Sequence, residues 1–302
     1  AQDRVNSHMH QCSDFRDELL ASSSIECEHL TMWHVVFTPH TVWSNALKSW
    51  ISVRKPGFIP WLEGFFRFIP VHLRKGPWAW PPTLTLASLW ILIGATLPRA
   101  LSQFEPVPPA PELQGRRVIA FVYGATVLGY MLKKMGVAPL ASWTMMGWTL
   151  TTIRYLAGAL GFGSLQRVLT FPSLMANSVT CLLWYFAILP GVALMLPAEK
   201  RKVVLKQWIM TWFMFTVHGL NLPLSIADFA WQPVALGEFD MWVTVLYSLL
   251  YMLFYFIVLD ALGAHLYFIL SPRQWWGAAV YVGILLLAVL LFFGFNMVWV
   301  DR

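Results

Sequence analysis

The residues best suited to chemistry lie inside one of the most apolar stretches of the chain, "FTVHGLNLPLSIADF" at 215–229. Its polar members His218, Asn221, Ser225 and Asp228 are spaced 3, 4 and 3 residues apart. In a helix this spacing places all four on one face. A polar stripe at membrane depth faces the bundle interior, where it binds a ligand or joins helices through hydrogen bonds. The sequence leaves both readings open.

Two charged residues also occur in apolar stretches. Arg154 lies in "ASWTMMGWTLTTIRYLAGALG" and Asp260 in "YFIVLDALGAHLYFIL". Because buried charges are normally paired, we expect a structural ion pair between Arg154 and Asp260. Asn177 and His265 complete the polar residues of the apolar segments.

The composition indicates the environment that must hold these residues. The chain has 302 residues, of which 58% are hydrophobic and 12% charged, with a mean hydropathy of +0.59. Soluble domains carry about 25% charged residues, so the composition predicts an integral membrane protein. The 17 tryptophans and 21 phenylalanines suit membrane–water interfaces. The net charge of +6 comes from basic residues in short loops between apolar runs, which favours lipid headgroups over nucleic acid as the partner.

The apolar segments predict an all-α, polytopic helical bundle at 83–302. A span needs about 20 residues to cross the hydrocarbon, and about seven segments approach that length. They are 83–98, 117–132, 140–161, 172–196, 203–226, 241–262 and 276–299.

Residues 1–82 are predicted to form a non-spanning N-terminal extension. The sequence "TVWSNALKSWISV" places Trp43, Leu47, Trp50 and Ile51 on one helical face. Such a pattern is typical of an amphipathic helix in the headgroup layer. The alternative is a soluble helix packed on a partner subunit.

The distribution of lysine and arginine predicts the orientation. With seven spans, twelve basic residues fall on the side of the N-terminus and five on the other, Arg117 and Arg167 among the five. We therefore expect the N-terminus to face the cytoplasm, matrix or stroma, an organelle inner membrane being one such setting.

The motif order "TMMGWTLTTIRY", "RVLTFPSLMANSVTCLLWYFAILPG", "VHGLNLP" and "LGAHLYFILSPRQWWG" resembles the androgen-induced family of polytopic lipid hydrolases. The resemblance covers roughly 140–300. It implies cleavage of fatty acid esters of hydroxy fatty acids by a threonine nucleophile and a histidine base deep in the bundle. Thr149 matches the threonine best, with Thr152 as second choice, and His218–Gly219 matches the family's "HG".

One departure from that family concerns the base itself. The resemblance implies a catalytic histidine three residues beyond His218, where this chain has Asn221. Asparagine cannot accept and release a proton near neutral pH, and a base must come within about 3 Å of its proton. His218 lies one helical turn away. The departure favours a fold that is retained and a chemistry that is lost.

Two groups of possible metal ligands remain. The motifs "HMHQC" and "CEH" contain His8, His10, Cys12, Cys27 and His29. Zinc fingers place their cysteines closer together, so no metal site is predicted there. A neutral imidazole of His218 or His265 is a ligand type that binds haem iron or chlorophyll magnesium.

These observations favour a non-catalytic accessory subunit of a larger membrane assembly, such as an energy-transducing complex. Its partners would be membrane lipids and other membrane subunits, with bound phospholipid and no cofactor. The alternative is a lipid ester hydrolase with Thr149 as nucleophile, His218 as base and Asn221 or Ser225 supporting an oxyanion. A third reading is a subunit that binds haem or chlorophyll.

Overall fold

A computed structural model describes most of the chain from residue 77 onward. The described residues are 73, 77–190, 194, 202, 211–232, 234–260, 262, 264 and 266–300. Within this part of the chain the structure is helical and contains no strand. Nearly all of the predicted interfacial arm at 1–82 lies outside the described residues, so the arm and its boundary at 82 stay predictions.

Eight α-helices occur in the described ranges. They are α1 (Trp80–Leu101), α2 (Pro111–Met135), α3 (Trp143–Ala159), α4 (Gly163–Leu183), α5 (Trp212–Phe215), α6 (Asn221–Ala230), α7 (Glu238–Phe254) and α8 (Gly277–Val300). Three π-helical turns follow α4, α5 and α7 without a break, at Trp184–Ile188, Thr216–Leu220 and Tyr255–Asp260. Short 3-10 turns occupy Ala138–Ala141 and Phe268–Leu270.

The helices begin where local chemistry favours a start. Pro111 occupies the first turn of α2, where its missing N–H removes no helical hydrogen bond. The Ser142 side chain caps α3 by accepting from the Met145 N–H at 3.3 Å. Apolar content predicts α4 from 172, yet the helix begins at Gly163, and its first turns include the buried polar residues Gln166 and Arg167.

Four helical segments are long and apolar enough to cross a membrane. They are Trp80–Leu101, Gly163–Phe186, Glu238–Asp260 and Gly277–Met297. Within the described part of the chain the structure is thus all-helical, and these four segments fit an integral membrane protein. Helix α3 has 17 residues and α2 carries charges near both ends, so the count of seven spans stays a prediction.

The chain divides into two compact units. One combines 1–85 with 260–281, and the other combines 86–259 with 282–302. In the second unit α3 packs against α2, α4 and α6. A Cβ on Gly147 of α3 would lie 2.7 Å from Asn177 Oδ1 of α4, so this glycine permits the close approach of the two helices.

The C-terminal half of α8 packs against α4 and α6 of the second unit. Phe292 packs edge-on against Phe171 with ring centroids 5.7 Å apart, and Phe295 packs against Phe229 at 5.8 Å. The Asn296 side chain exchanges two 3.2 Å hydrogen bonds with the Leu236 backbone.

Candidate functional site

The four residues of the polar stripe are buried. His218 is 9% exposed, whereas Asn221, Ser225 and Asp228 are fully buried. They belong to the continuous segment formed by α5, its π-helical turn and α6. The stripe therefore faces the interior of the second unit, and its contacts indicate what it does.

The backbone is irregular where the stripe begins. Pro223 lacks an N–H, and a π-helical turn ends directly before α6. The Cys181 thiol donates to the His218 carbonyl at 3.0 Å, and Asn221 Oδ1 accepts from the Leu222 N–H at 2.7 Å. Side chains thus satisfy backbone groups that the irregular helix leaves open. Asn221 serves this backbone rather than a reacting group.

Three neutral side chains form a hydrogen-bonded triangle at the centre of the stripe. Asn177 Nδ2 donates to Thr151 Oγ1 at 2.7 Å and to Ser225 Oγ at 2.5 Å. The hydroxyls of Thr151 and Ser225 lie 3.0 Å apart. Because the three residues belong to α4, α3 and α6, the triangle joins three helices. All three are buried, so water competes little with these bonds.

Asp228 forms the charged end of the stripe. Its Oδ1 lies 3.1 Å from Arg117 Nε, and its Oδ2 lies 3.0 Å from Arg154 Nε. Gln232 Nε2 also donates to Oδ2, at 3.2 Å. Both carboxylate oxygens are therefore used, and one aspartate joins α2, α3 and α6.

Arg154 extends this connection to α4. Its Nη1 donates to the Thr170 carbonyl at 3.1 Å and to Ser173 Oγ at 2.7 Å. Its Nη2 donates to the Ser225 carbonyl at 2.7 Å. A guanidinium offers five N–H donors, and this fully buried one makes three hydrogen bonds to two neighbouring helices.

The predicted partner of Arg154 was wrong. Arg154 pairs with Asp228, whereas Asp260 pairs with Arg273. Arg273 Nη2 lies 2.9 Å from Asp260 Oδ2, and Trp78 Nε1 donates to the same oxygen at 3.1 Å. The prediction failed because Asp228 lies just outside the apolar segment at 203–226, whereas Asp260 lies inside the apolar segment at 241–262.

Thr149 and His218 are the nucleophile and the base of the hydrolase reading. Among the described contacts they make no hydrogen bond to each other. The Thr149 hydroxyl donates to the Met145 carbonyl of its own helix at 2.7 Å. His218 Nδ1 contacts the Met214 carbonyl at 3.0 Å, and its ring stacks on Trp184 at 3.8 Å. A general base must lie within hydrogen-bond reach of its nucleophile, and this pair of residues is not arranged that way.

The remaining residues of the hydrolase reading are also engaged elsewhere. The Thr152 hydroxyl donates to the Trp148 carbonyl at 2.9 Å. Asn221 and Ser225, the predicted oxyanion donors, make the backbone and triangle contacts described above. The arrangement therefore resembles a set of interhelical connections more than an assembled acyl-transfer site.

Sequence reasoning missed two arginines of this region. Arg117 and Arg167 were counted among loop charges but are buried. Arg167 pairs with Asp240, which also accepts from the Gly237 N–H at 2.7 Å. Both arginines fall within the first two turns of their helices. No local sequence signal distinguishes these arginines from loop charges, because hydropathy does not register which side of a helix a residue occupies.

The other predicted ligands cannot be placed. His265 and the histidines and cysteines of the first 29 residues lie outside the described residues. Their roles as haem, chlorophyll or metal ligands therefore stay predictions.

The charged part of the stripe is not neutral. Arg117, Arg154 and Asp228 are all buried, and two guanidiniums face one carboxylate. Chemically, the site can join four helices and can attract an anion, whereas proton transfer would need a base that these contacts do not provide.

Comparisons with known proteins add no relative to this description. No protein-family model matches the chain, and no curated protein or solved structure is significantly similar to it.

Proposed function

We propose that the protein is a non-catalytic accessory subunit of a larger membrane assembly, and that it binds lipid and neighbouring subunits. One observation carries the proposal. Ser225 and Asp228 of the polar stripe bond side chains of other helices, and His218 and Asn221 bond the backbone of their own segment. Polar residues used in this way hold membrane helices together.

The outer surface supports a binding role. In the membrane-crossing segment of α8 only 11% of the residues are buried, and in that of α1 only 17%. Leu290 of α8 is 68% exposed and Ile91 of α1 is 74% exposed. Such apolar faces suit lipid or the helices of another membrane subunit.

The hydrolase reading has weaker support. It requires the Thr149 hydroxyl to bond His218, and both groups bond their own helical segment instead. The haem or chlorophyll reading requires an available imidazole nitrogen. His218 uses Nδ1 toward Met214 and leaves Nε2 for such a ligand, so an absorption spectrum of the purified protein tests this third reading directly.

The topology that accompanies the proposal has seven spans, with the N-terminus in the cytoplasm, matrix or stroma. Basic residues of the inter-helix loops support this orientation. Labelling of single cysteines placed at Glu112 and Lys133, at opposite ends of α2, tests it. Seven spans require the two labels to react from opposite sides of sealed vesicles.

The experiment for the function combines activity and assembly. Protein purified in mild detergent is assayed with a fatty acid ester of a hydroxy fatty acid, and its native mass is measured. We expect no turnover above a detergent blank and a mass larger than that of the 34.5 kDa chain with its micelle. Turnover that disappears in Thr149→Val would overturn the proposal.

A variant pair identifies the surface that mediates assembly. Leu290→Ala with Phe293→Ala trims the exposed face of α8 and keeps it apolar. Phe186→Ala is the matched control, because Phe186 is 78% exposed at the end of α4. We expect the α8 variant to lower the native mass and the control to leave it unchanged.

A further inference from the structure

Among the residues that the structure describes, the charges around Asp228 include two guanidiniums and one carboxylate, so one positive charge has no counter-charge there. Arg117 and Arg154 both contact this carboxylate, and each of its oxygens is already engaged. The neighbouring Arg167 is neutralised by Asp240. An uncompensated buried cation is strongly unfavourable, so this end of the bundle requires an anion.

Two buried donors beside this charge are open. Arg117 Nη2 and Gln166 Nε2 have no acceptor among the residues that the structure describes. Arg117 Nη1 reaches only the Gly158 carbonyl, at 3.5 Å. Arg117 and Gln166 are each only 2% exposed, so bulk water does not satisfy these donors freely.

The two donors lie on the same side of α3. A Cβ on Gly158 would lie 2.9 Å from Arg117 Nε and 3.1 Å from Gln166 Cδ. Both side chains therefore converge over a glycine. Gln166 also lies in the first turn of α4, where the helix dipole favours an anion.

We propose that the open donors Arg117 Nη2 and Gln166 Nε2 bind a phosphate group at the end of the bundle where α2 and α4 begin. A phosphate carries enough oxygens to accept from the guanidinium and the amide together, and a guanidinium matches its geometry. The group belongs to a phospholipid headgroup or to free phosphate. The inference rests on the proposed binding role and names its ligand.

Thermal unfolding of the full chain, followed by tryptophan fluorescence in a nonionic detergent, tests this site. Sodium phosphate is compared with sodium chloride at equal ionic strength, and phosphatidylglycerol with phosphatidylcholine in mixed micelles. A hundredfold excess over Kd is expected to raise Tm by about 4 °C. A shift with phosphatidylglycerol alone identifies a lipid headgroup, and a shift with phosphate alone identifies the free ion.

Three variants test whether Arg117 and Gln166 bind phosphate or only stabilise the packing of the helices. Gln166→Glu supplies a carboxylate beside Arg117, so it should equal or exceed the Tm of the unliganded wild type and lose the ligand-induced shift. Arg117→Lys retains the charge without the guanidinium fork and should reduce the shift. Arg116→Lys, at the exposed neighbouring position, should retain it.

Either of two results overturns the site. One is the absence of a Tm shift with both phosphate probes. The other is an undiminished shift in Gln166→Glu and Arg117→Lys. The native mass is independent of this readout, so a missing phosphate site and a missing assembly role remain distinguishable.

Discussion

Arg117 and Asp228 are 111 positions apart in sequence and form a buried ion pair, with Nε 3.1 Å from Oδ1. The same carboxylate contacts Arg154 through its second oxygen. One acidic residue thus stabilises the packing of α2, α3 and α6 against one another, and the stability of the bundle should depend on it.

Replacement of Asp228 by Asn should destabilise the protein strongly. It leaves two buried guanidiniums without a counter-charge, and loss of one member of a buried pair costs about 3–5 kcal/mol. The measurement is the unfolding midpoint in detergent. Glu112→Gln is the control, because that exposed carboxylate should contribute no more than about 1 kcal/mol. Equal effects of the two variants would show that the buried cluster has no special role.

The triangle of Asn177, Thr151 and Ser225 provides a matched comparison on one helix. Thr151→Val removes an acceptor for Asn177 and a partner for Ser225, which should cost about 1–3 kcal/mol. Thr149→Val removes only a bond to its own helix and should change stability by less than about 0.5 kcal/mol. A larger loss of unfolding free energy in Thr149→Val than in Thr151→Val would show that the triangle does not stabilise the bundle.

Glycine substitutions probe the space beside Arg117. Gly158→Ala places a methyl group 2.9 Å from Arg117 Nε, and such overpacking should cost about 1–3 kcal/mol. Gly129→Ala in α2 meets nothing within 4 Å and should be neutral or stabilising by up to about 1 kcal/mol. Both effects are measured as changes in Tm. Equal Tm values for Gly158→Ala and Gly129→Ala would show that the Arg117 side chain does not pack against Gly158.

The pair formed by Asp260 and Arg273 allows the same reasoning in the other unit. Arg273→Gln removes the guanidinium that pairs with the buried Asp260 carboxylate, and should cost about 3–5 kcal/mol. Arg116→Gln removes an exposed arginine 5.0 Å from the Trp231 ring and should cost about 0.5–1 kcal/mol. The measurement is the unfolding midpoint of each variant relative to the wild type. An Arg273→Gln protein with an unchanged midpoint would contradict the prediction.

Parts of this site could be predicted from sequence because helical spacing is local. The 3, 4 and 3 spacing of the polar stripe placed four residues on one face, and all four are buried. A general membrane character was also predictable from the apolar segments, and four of them are long enough to cross.

The partners could not be predicted in the same way. An arginine in the first turns of a helix, such as Arg117, resembles a loop charge in sequence, because hydropathy does not register which side of a helix it occupies. Choosing the partner of Arg154 therefore required three-dimensional proximity. Similarly, the sequence does not show that Cys181 and Asn221 satisfy backbone groups in the irregular segment before Pro223.

The central claim is that the buried polar stripe holds helices together. A double-mutant cycle with Arg117→Gln and Asp228→Asn measures this directly as free energies of unfolding. We expect a coupling energy of at least about 1.5 kcal/mol, with the double variant more stable than the two single effects would sum to. Strictly additive effects would show that Arg117 and Asp228 do not stabilise the bundle as a pair, and would contradict the claim.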